Sequence, residues 1–215
     1  MHEEPFDAMR QSIVDGAPDN ASALADKALK LGIAPLDAIN KGFVPGLNYI
    51  GEQFSHGEVF LPDLVMSGQA MKAAMAVLEP EMQKRGTQRE ILGKVVLGTV
   101  KGDIHEIGKT LVSTLLSATG FQVFDLGVDV PIELFAEKAS ELQADIVGVS
   151  ALLTTTMQGQ KSVLESLDRH GLRPKVKMIV GGAPVTRDWA EKIGADGYGQ
   201  DAMAAVALAK SLLHR

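Results

Sequence analysis

The chain of 215 residues contains no cysteine. Disulfide bridges and thiolate metal sites are therefore excluded, and a reducing compartment such as the cytoplasm fits. Any metal chemistry must come from histidine, from carboxylates or from an imported cofactor. Positive charge is not in excess, since 21 Lys and Arg stand against 27 Asp and Glu for a formal charge of −6. That balance argues against nucleic acid and against anionic membranes as partners. No apolar run is long enough to span a bilayer, and the start, Met1-His-Glu-Glu-Pro-Phe6, lacks the basic-then-apolar order of a signal peptide. Aromatic residues make up only 5%, yet the total hydrophobic content of 46% is ordinary for a packed core, so disorder is not expected.

The two halves carry different periodicities. Up to about residue 84 the pattern is helical. Asp19 is placed to cap a run through Leu24, Ala28 and Leu31 that Gly32 stops. A second run, 35–54, repeats apolar residues at Leu36, Ile39, Phe43, Leu47 and Ile50. A third extends from about Asp63 to Met82 and is rich in methionine, which fits core filling. Four helices with short loops suggest a small bundle over residues 1–86. A polar, glycine-bearing linker is expected at 87–93. From 94 to 215 the pattern is strand–helix alternation. Strands are predicted at 94–100, 121–126, 145–150, 176–181 and, briefly, 197–199. Helices are predicted near 108–118, 132–142, 157–170, 187–193 and 201–213. Repeated βα units imply an α/β fold, a doubly wound parallel sheet of the flavodoxin/Rossmann kind behind the helical cap.

Lys101-Gly-Asp-Ile-His-Glu-Ile-Gly-Lys109 falls on the loop between the first strand and its helix. Open α/β sheets bind their ligands at such strand ends. His105, two residues after Asp103, suits a metal ligand whose second nitrogen is held by a carboxylate. The plainer alternative is that Asp103 caps the following helix and His105 is an ordinary loop residue. Two further elements follow in order. Ser150-x-Leu152 ends the third strand, 41 positions after the first motif, and Gly181-Gly182 ends the fourth, after another 28. Each is weak alone; their order and placement at strand ends make them specific.

Taken together, Asp103-x-His105-x-x-Gly108, Ser150-x-Leu152 and Gly181-Gly182 resemble the cobalamin-binding domain shared by methionine synthase, corrinoid methyltransferase proteins and cobalamin mutases. The stretch from Gly46 through Phe54 and Leu61 to Pro80 is similar to the helical cap of methyl-transferring corrinoid proteins. The resemblance covers nearly the whole chain. It implies a corrinoid carrier of anaerobic methyl-transfer systems, holding cobalamin as methylcobalamin or cob(I)alamin. It also implies that His105 binds cobalt, displacing the cofactor's own base, with Asp103 and Thr156 as the relay behind it. Gly102, Ile104, Glu106 and Gly108 then belong to the corrin-facing loop. Ser150, Leu152, Thr154, Gly181, Gly182 and Ala202 belong to the corrin edge and to a slot for the nucleotide tail, and Phe54 and Leu61 to the cover of the cobalt's upper face.

The same resemblance implies a cofactor-carrying subunit rather than a catalyst alone. Its partners would be a substrate-specific corrinoid methyltransferase, a second methyltransferase serving a pterin or thiol acceptor, and a reductive activase. Methylamines, betaines, methanol and aryl methyl ethers all remain open as donors. The rivals are the small subunit of an adenosylcobalamin mutase, which is not expected to carry this cap, and a cobalamin-sensing regulator. The regulator would need a DNA-binding module, and residues 1–30 are neither basic nor shaped like one. A receiver domain without cofactor is the outside option. His2, His56, His170 and His214 read as surface residues.

Overall fold

Helical periodicity gives way to strand–helix alternation near residue 90, and the chain divides there into two compact units, Met1–Glu90 and Ile91–Arg215. The computed structural model describes residues 3–85 and 91–213. His2, His214 and residues 87–90 of the expected linker lie outside the described residues. Leu92 donates its N–H to the Gly120 carbonyl at 3.0 Å and Gly93 accepts from Gln122 at 2.9 Å, so 92–93 are tied to the second unit.

The first unit contains α1 (Glu3–Val14), α2 (Pro18–Lys30), α3 (Pro35–Asp37), α4 (Val44–Ser55) and α5 (Leu61–Lys84). A π-helical stretch, Ala38–Phe43, joins α3 to α4 without a break, so these helices form four runs. Met9, Ile13, Ile39, Phe43, Leu47, Leu64, Met71 and Leu78 are buried together as the core of this bundle. The sequence pattern leaves α1 undelimited, although Met9 and Ile13 mark its inward face. Asp19 does not cap α2. Proline's fixed φ starts the helix at Pro18, Ala17 takes the cap position without a side-chain bond, and Asp19 falls inside the first turn. Gly32 stops α2 as expected. With φ at +77° it donates to Leu29 at 3.1 Å while Ile33 donates to Ala28 at 3.0 Å, a Schellman closure.

The second unit alternates β1 (Lys94–Thr99), α6 (Ile107–Thr119), β2 (Gln122–Asp125), α7 (Ile132–Leu142), β3 (Ile146–Ser150), α8 (Gln158–Arg169), β4 (Lys177–Gly181), α9 (Arg187–Ile193), β5 (Gly197–Gly199) and α10 (Ala202–Leu212). All pairings are parallel, in the order β2-β1-β3-β4-β5. The chain winds one way from β1 to β2 and the other way from β1 to β3, so the order reverses between β1 and β3. That reversal is the crevice where such sheets bind ligands.

The two sheet faces differ. Val96, Val147, Val149, Met178 and Val180 pack with Phe135 and Ala136 of α7, Val163 and Leu167 of α8 and Ile193 of α9. This is a continuous apolar layer. The opposite face is covered by α6 and α10, which pack on each other. There the strand ends present a row of small residues, Thr99, Ser150, Gly181 and Gly199, in register across four strands. No helix among the described residues is long and apolar enough to cross a membrane.

Candidate functional site

The loop after β1 and the loop after β3 meet at the reversal point, and Asp103 joins them. Its carboxylate is buried and accepts at both oxygens. Oδ1 receives the His105 backbone N–H at 3.1 Å and lies 2.9 Å from His105 Nδ1. Oδ2 receives the Leu152 N–H at 2.7 Å and the Thr156 hydroxyl at 2.8 Å. Burial opposes ionisation of this carboxyl. The N–H groups of Leu152 and His105, with the imidazole and the Thr156 hydroxyl, outweigh burial and hold its pKa well below the usual carboxylate range.

An ionised carboxylate can only accept, so the proton facing it is assigned to His105 Nδ1. The lone pair is then on Nε2. The His105 side chain is 48% exposed while Asp103 beneath it is not exposed at all. The arrangement is an oriented imidazole with a free donor nitrogen. The alternative in which Asp103 caps the helix fails: Glu106 holds the cap position of α6, without a side-chain bond, and Asp103 is spent on the loop.

Asp129, from the loop after β2, secures the same segment from the other side. Its Oδ1 accepts the Gly102 N–H at 2.7 Å, its N–H donates to the Asp103 carbonyl at 2.8 Å, and Lys101 pairs with it at 3.1 Å. Thr99 donates its hydroxyl to the His105 carbonyl at 3.0 Å. The histidine loop is thus fixed from β1, β2 and β3.

Around the imidazole the surface is apolar. Ile104 and Ile107 are each 74% exposed, and Leu152 and Leu153 are exposed on the facing loop. Side chains of this kind are not left bare without reason when they cluster about a polar group. Gly108 lies in the first turn of α6, where an added Cβ would meet no atom within 4 Å. Packing does not demand a glycine there; its absence of side chain leaves the ground beside His105 clear.

Deeper in, Ser150 is half-buried at the end of β3, and Thr154 is exposed on the loop that follows. Gly182 must be glycine, because its φ is +122° and a Cβ would lie 1.8 Å from the Ala151 carbonyl oxygen. Gly181 differs. A Cβ there would meet only the Gly199 oxygen, at 3.1 Å, and no side chain of α6 or α10 comes within 4 Å. An opening therefore lies over Gly181, with buried Ala202 heading α10 at its flank. Phe54, half-buried near the end of α4, and Leu61, exposed as the first residue of α5, belong to the first unit.

Several participants escaped sequence reasoning. Ile107 and Leu153 stand outside the motifs read from the sequence, and Asp129 lies 26 residues after Asp103 with no motif around it. Lys109 ends the glycine motif, yet it is buried and pairs with Asp125 at 2.5 Å, bracing α6 against β2.

Among the described residues, no three His, Asp or Glu side chains gather to hold a bare metal ion. A single imidazole suits a metal that brings its other ligands with it, and the apolar rim and side opening suit a large planar carrier with an arm. The B12 binding domain family matches residues 93–207, and a second B12 binding domain family matches residues 5–79. The chain is 46% identical over 211 residues to trimethylamine corrinoid protein 1 of Methanosarcina acetivorans, covering 98% of both chains. It is 48% identical over 211 residues to dimethylamine corrinoid protein 2 of the same organism, covering 98% of this chain and 97% of that one. Among solved structures it is similar to the methanol:cobalamin methyltransferase complex of Methanosarcina barkeri. The TM-score is 0.87 at 28% identity, over all of this chain and 81% of that one. At these identities the chain belongs to the methyl-carrier corrinoid proteins, and its cofactor is cobalamin.

Proposed function

We propose that this corrinoid protein binds cobalamin through His105, with the cofactor's own base detached, and carries a methyl group from a methylamine:corrinoid methyltransferase to a second methyltransferase. The carrying observation is the half-exposed His105 side chain, oriented by a 2.9 Å contact of Nδ1 with buried Asp103. Bound cobalamin supplies a cobalt that accepts and releases a methyl group. The chain's residues govern the rest. Asp103 and Thr156 orient the imidazole and make Nε2 a stronger donor. Asp103 would hold the proton at Nδ1 and keep Nε2 as the atom offered to the cobalt. Ile104, Ile107, Leu152 and Leu153 would exclude water from the corrin, and Gly102, Glu106, Gly108 and Thr154 would help to hold it. Ser150, Gly181, Gly182 and Ala202 would hold the detached nucleotide arm. Phe54 and Leu61 are assigned to shielding the methyl-bearing side.

Methylamines are favoured over methanol as donors because relatives named for di- and trimethylamine are 46–48% identical, whereas the methanol complex is 28% identical. The acceptor methyltransferase, a reductive activase and a cytoplasmic location complete the proposal. A mutase subunit is disfavoured by the second B12 binding match at 5–79, which falls on the helical unit.

The test is reconstitution of the purified protein with cobalamin under anoxic conditions. Histidine ligation is expected in its visible and paramagnetic resonance spectra. His105→Gln is expected to weaken cofactor retention and slow methyl transfer from a methylamine methyltransferase. Parental binding and spectra in that variant would refute the ligand assignment.

A further inference from the structure

We infer that Gln160 and Trp189 form a positioning pair that holds the walls of the nucleotide opening and thereby sets the protein's preference for corrinoids bearing that arm. This rests on the proposed cobalamin site.

Gln160, in the first turn of α8, is fully buried. Burying a primary amide is costly unless its hydrogen-bonding groups are matched. Here Nε2 donates one hydrogen to the Val149 carbonyl at 2.9 Å and the other to the Gly181 carbonyl at 3.0 Å. Oε1 accepts from Trp189 Nε1 at 2.9 Å. The orientation of the amide is unambiguous, because the reverse would set its oxygen against two carbonyls and its NH2 against an indole N–H. Trp189 is itself secured on α9, where its backbone N–H bonds the Thr186 hydroxyl at 3.2 Å.

The carbonyls chosen matter. That of Val149 belongs to the peptide unit leading into Ser150, and that of Gly181 to the unit leading into Gly182. One side chain therefore orients both peptide planes that carry the lining residues of the opening. Both peptides belong to the last pairings of β3 with β4, Val149 with Val180 and Ser150 with Gly181, and Gln160 adds a donor to each carbonyl where the ladder ends. Ala151 donates to the same Gly181 oxygen at 3.1 Å, so Gln160 completes a two-donor clasp on it. The tolerance is small, because Gly182 already lies against Ala151. Gln160 does this from the α8 side of the strand ends, whereas the opening faces α6 and α10. It acts through the backbone and has no role at the cobalt.

The experiment compares the affinity of the full chain for cobalamin and for cobinamide, which has the same corrin and cobalt without the nucleotide. Gln160→Leu is expected to weaken cobalamin binding about tenfold, the loss of roughly one buried hydrogen bond, with cobinamide binding unchanged within about twofold. Trp189→Phe keeps an aromatic ring and removes only the N–H. It is expected to shift cobalamin in the same direction by a smaller factor, and it decides the matter if Gln160→Leu does not fold. Equal losses for both corrinoids, or no loss for either, overturn the positioning role. If the parent protein itself binds cobinamide as tightly as cobalamin, the nucleotide opening of the proposed site is wrong.

Discussion

Replacing Asp103 by asparagine keeps the shape of the side chain and removes its ability to accept everywhere. The carboxylate is buried and faces donors on both oxygens, namely Leu152 and Thr156 on one, and the backbone and ring of His105 on the other. An amide must turn its NH2 toward one pair. Facing Leu152 would leave the shortest bond, 2.7 Å, as a contact between two N–H groups. The favoured orientation keeps Leu152 and Thr156 and turns the NH2 toward His105. Two charge-assisted bonds are then lost, each worth about 1.5–3 kcal/mol, and the ring can recover one by moving its proton to Nε2. The net destabilisation is about 3 kcal/mol, and the tautomer that results has no lone pair for the metal. Urea denaturation of the cofactor-free Asp103→Asn variant measures the first effect, and the visible spectrum after cobalamin addition measures the second. A variant within about 1 kcal/mol of the parent, with histidine-ligated cobalamin, would refute the account of Asp103 as both loop anchor and tautomer lock.

Two further outcomes follow from the same geometry. Gly182→Ala places a methyl 1.8 Å from the Ala151 oxygen at a φ of +122°; it is expected to cost about 3 kcal/mol or more in the cofactor-free protein, read as a shifted urea midpoint. Glu133 on α7 has its pKa lowered, first by the Ser166 hydroxyl bond and then by Arg169 and His170. A depressed carboxyl contributes stability above its ordinary pKa and loses it as pH falls through the folded value. Glu133→Gln is therefore expected to reduce the drop in melting temperature between neutral and acid pH by a small, salt-sensitive amount. An unchanged drop would remove the α7–α8 bridge from the account.

The α/β half was legible because its signals are local. Strand ends, the glycine motif and the pairing of Asp103 with His105 all lie within short windows. What completes the site is not local. Leu152 and Thr156 reach Asp103 from about fifty residues away, and only the adjacency of β1 and β3 brings them there. Thr156 could be named through family resemblance, but its role as a donor to Oδ2 required the fold. Asp19 misled because a capping residue was sought without weighing Pro18 beside it. The π-helical stretch left no mark because its apolar residues still fall at helix-like intervals, and the close approach of α1 to Gly42 and Gly46 appears only in three dimensions. An added Cβ on Gly42 would meet the Met9 sulfur at 2.7 Å, and one on Gly46 the Arg10 carbonyl at 2.5 Å. Gln160 read as one polar residue among many on α8, and nothing in its neighbourhood hints at a partner on α9.

The unequal faces of the sheet divide its labour. The valine-rich side closes against three helices and supplies cohesion whether or not any prosthetic group is present. The other side is thinned by glycines along its upper margin, so inserting or withdrawing a long appendage there disturbs little that the fold depends on. On the proposed reading, the packing that holds the sheet together would therefore stay in place whether the group is bound or released.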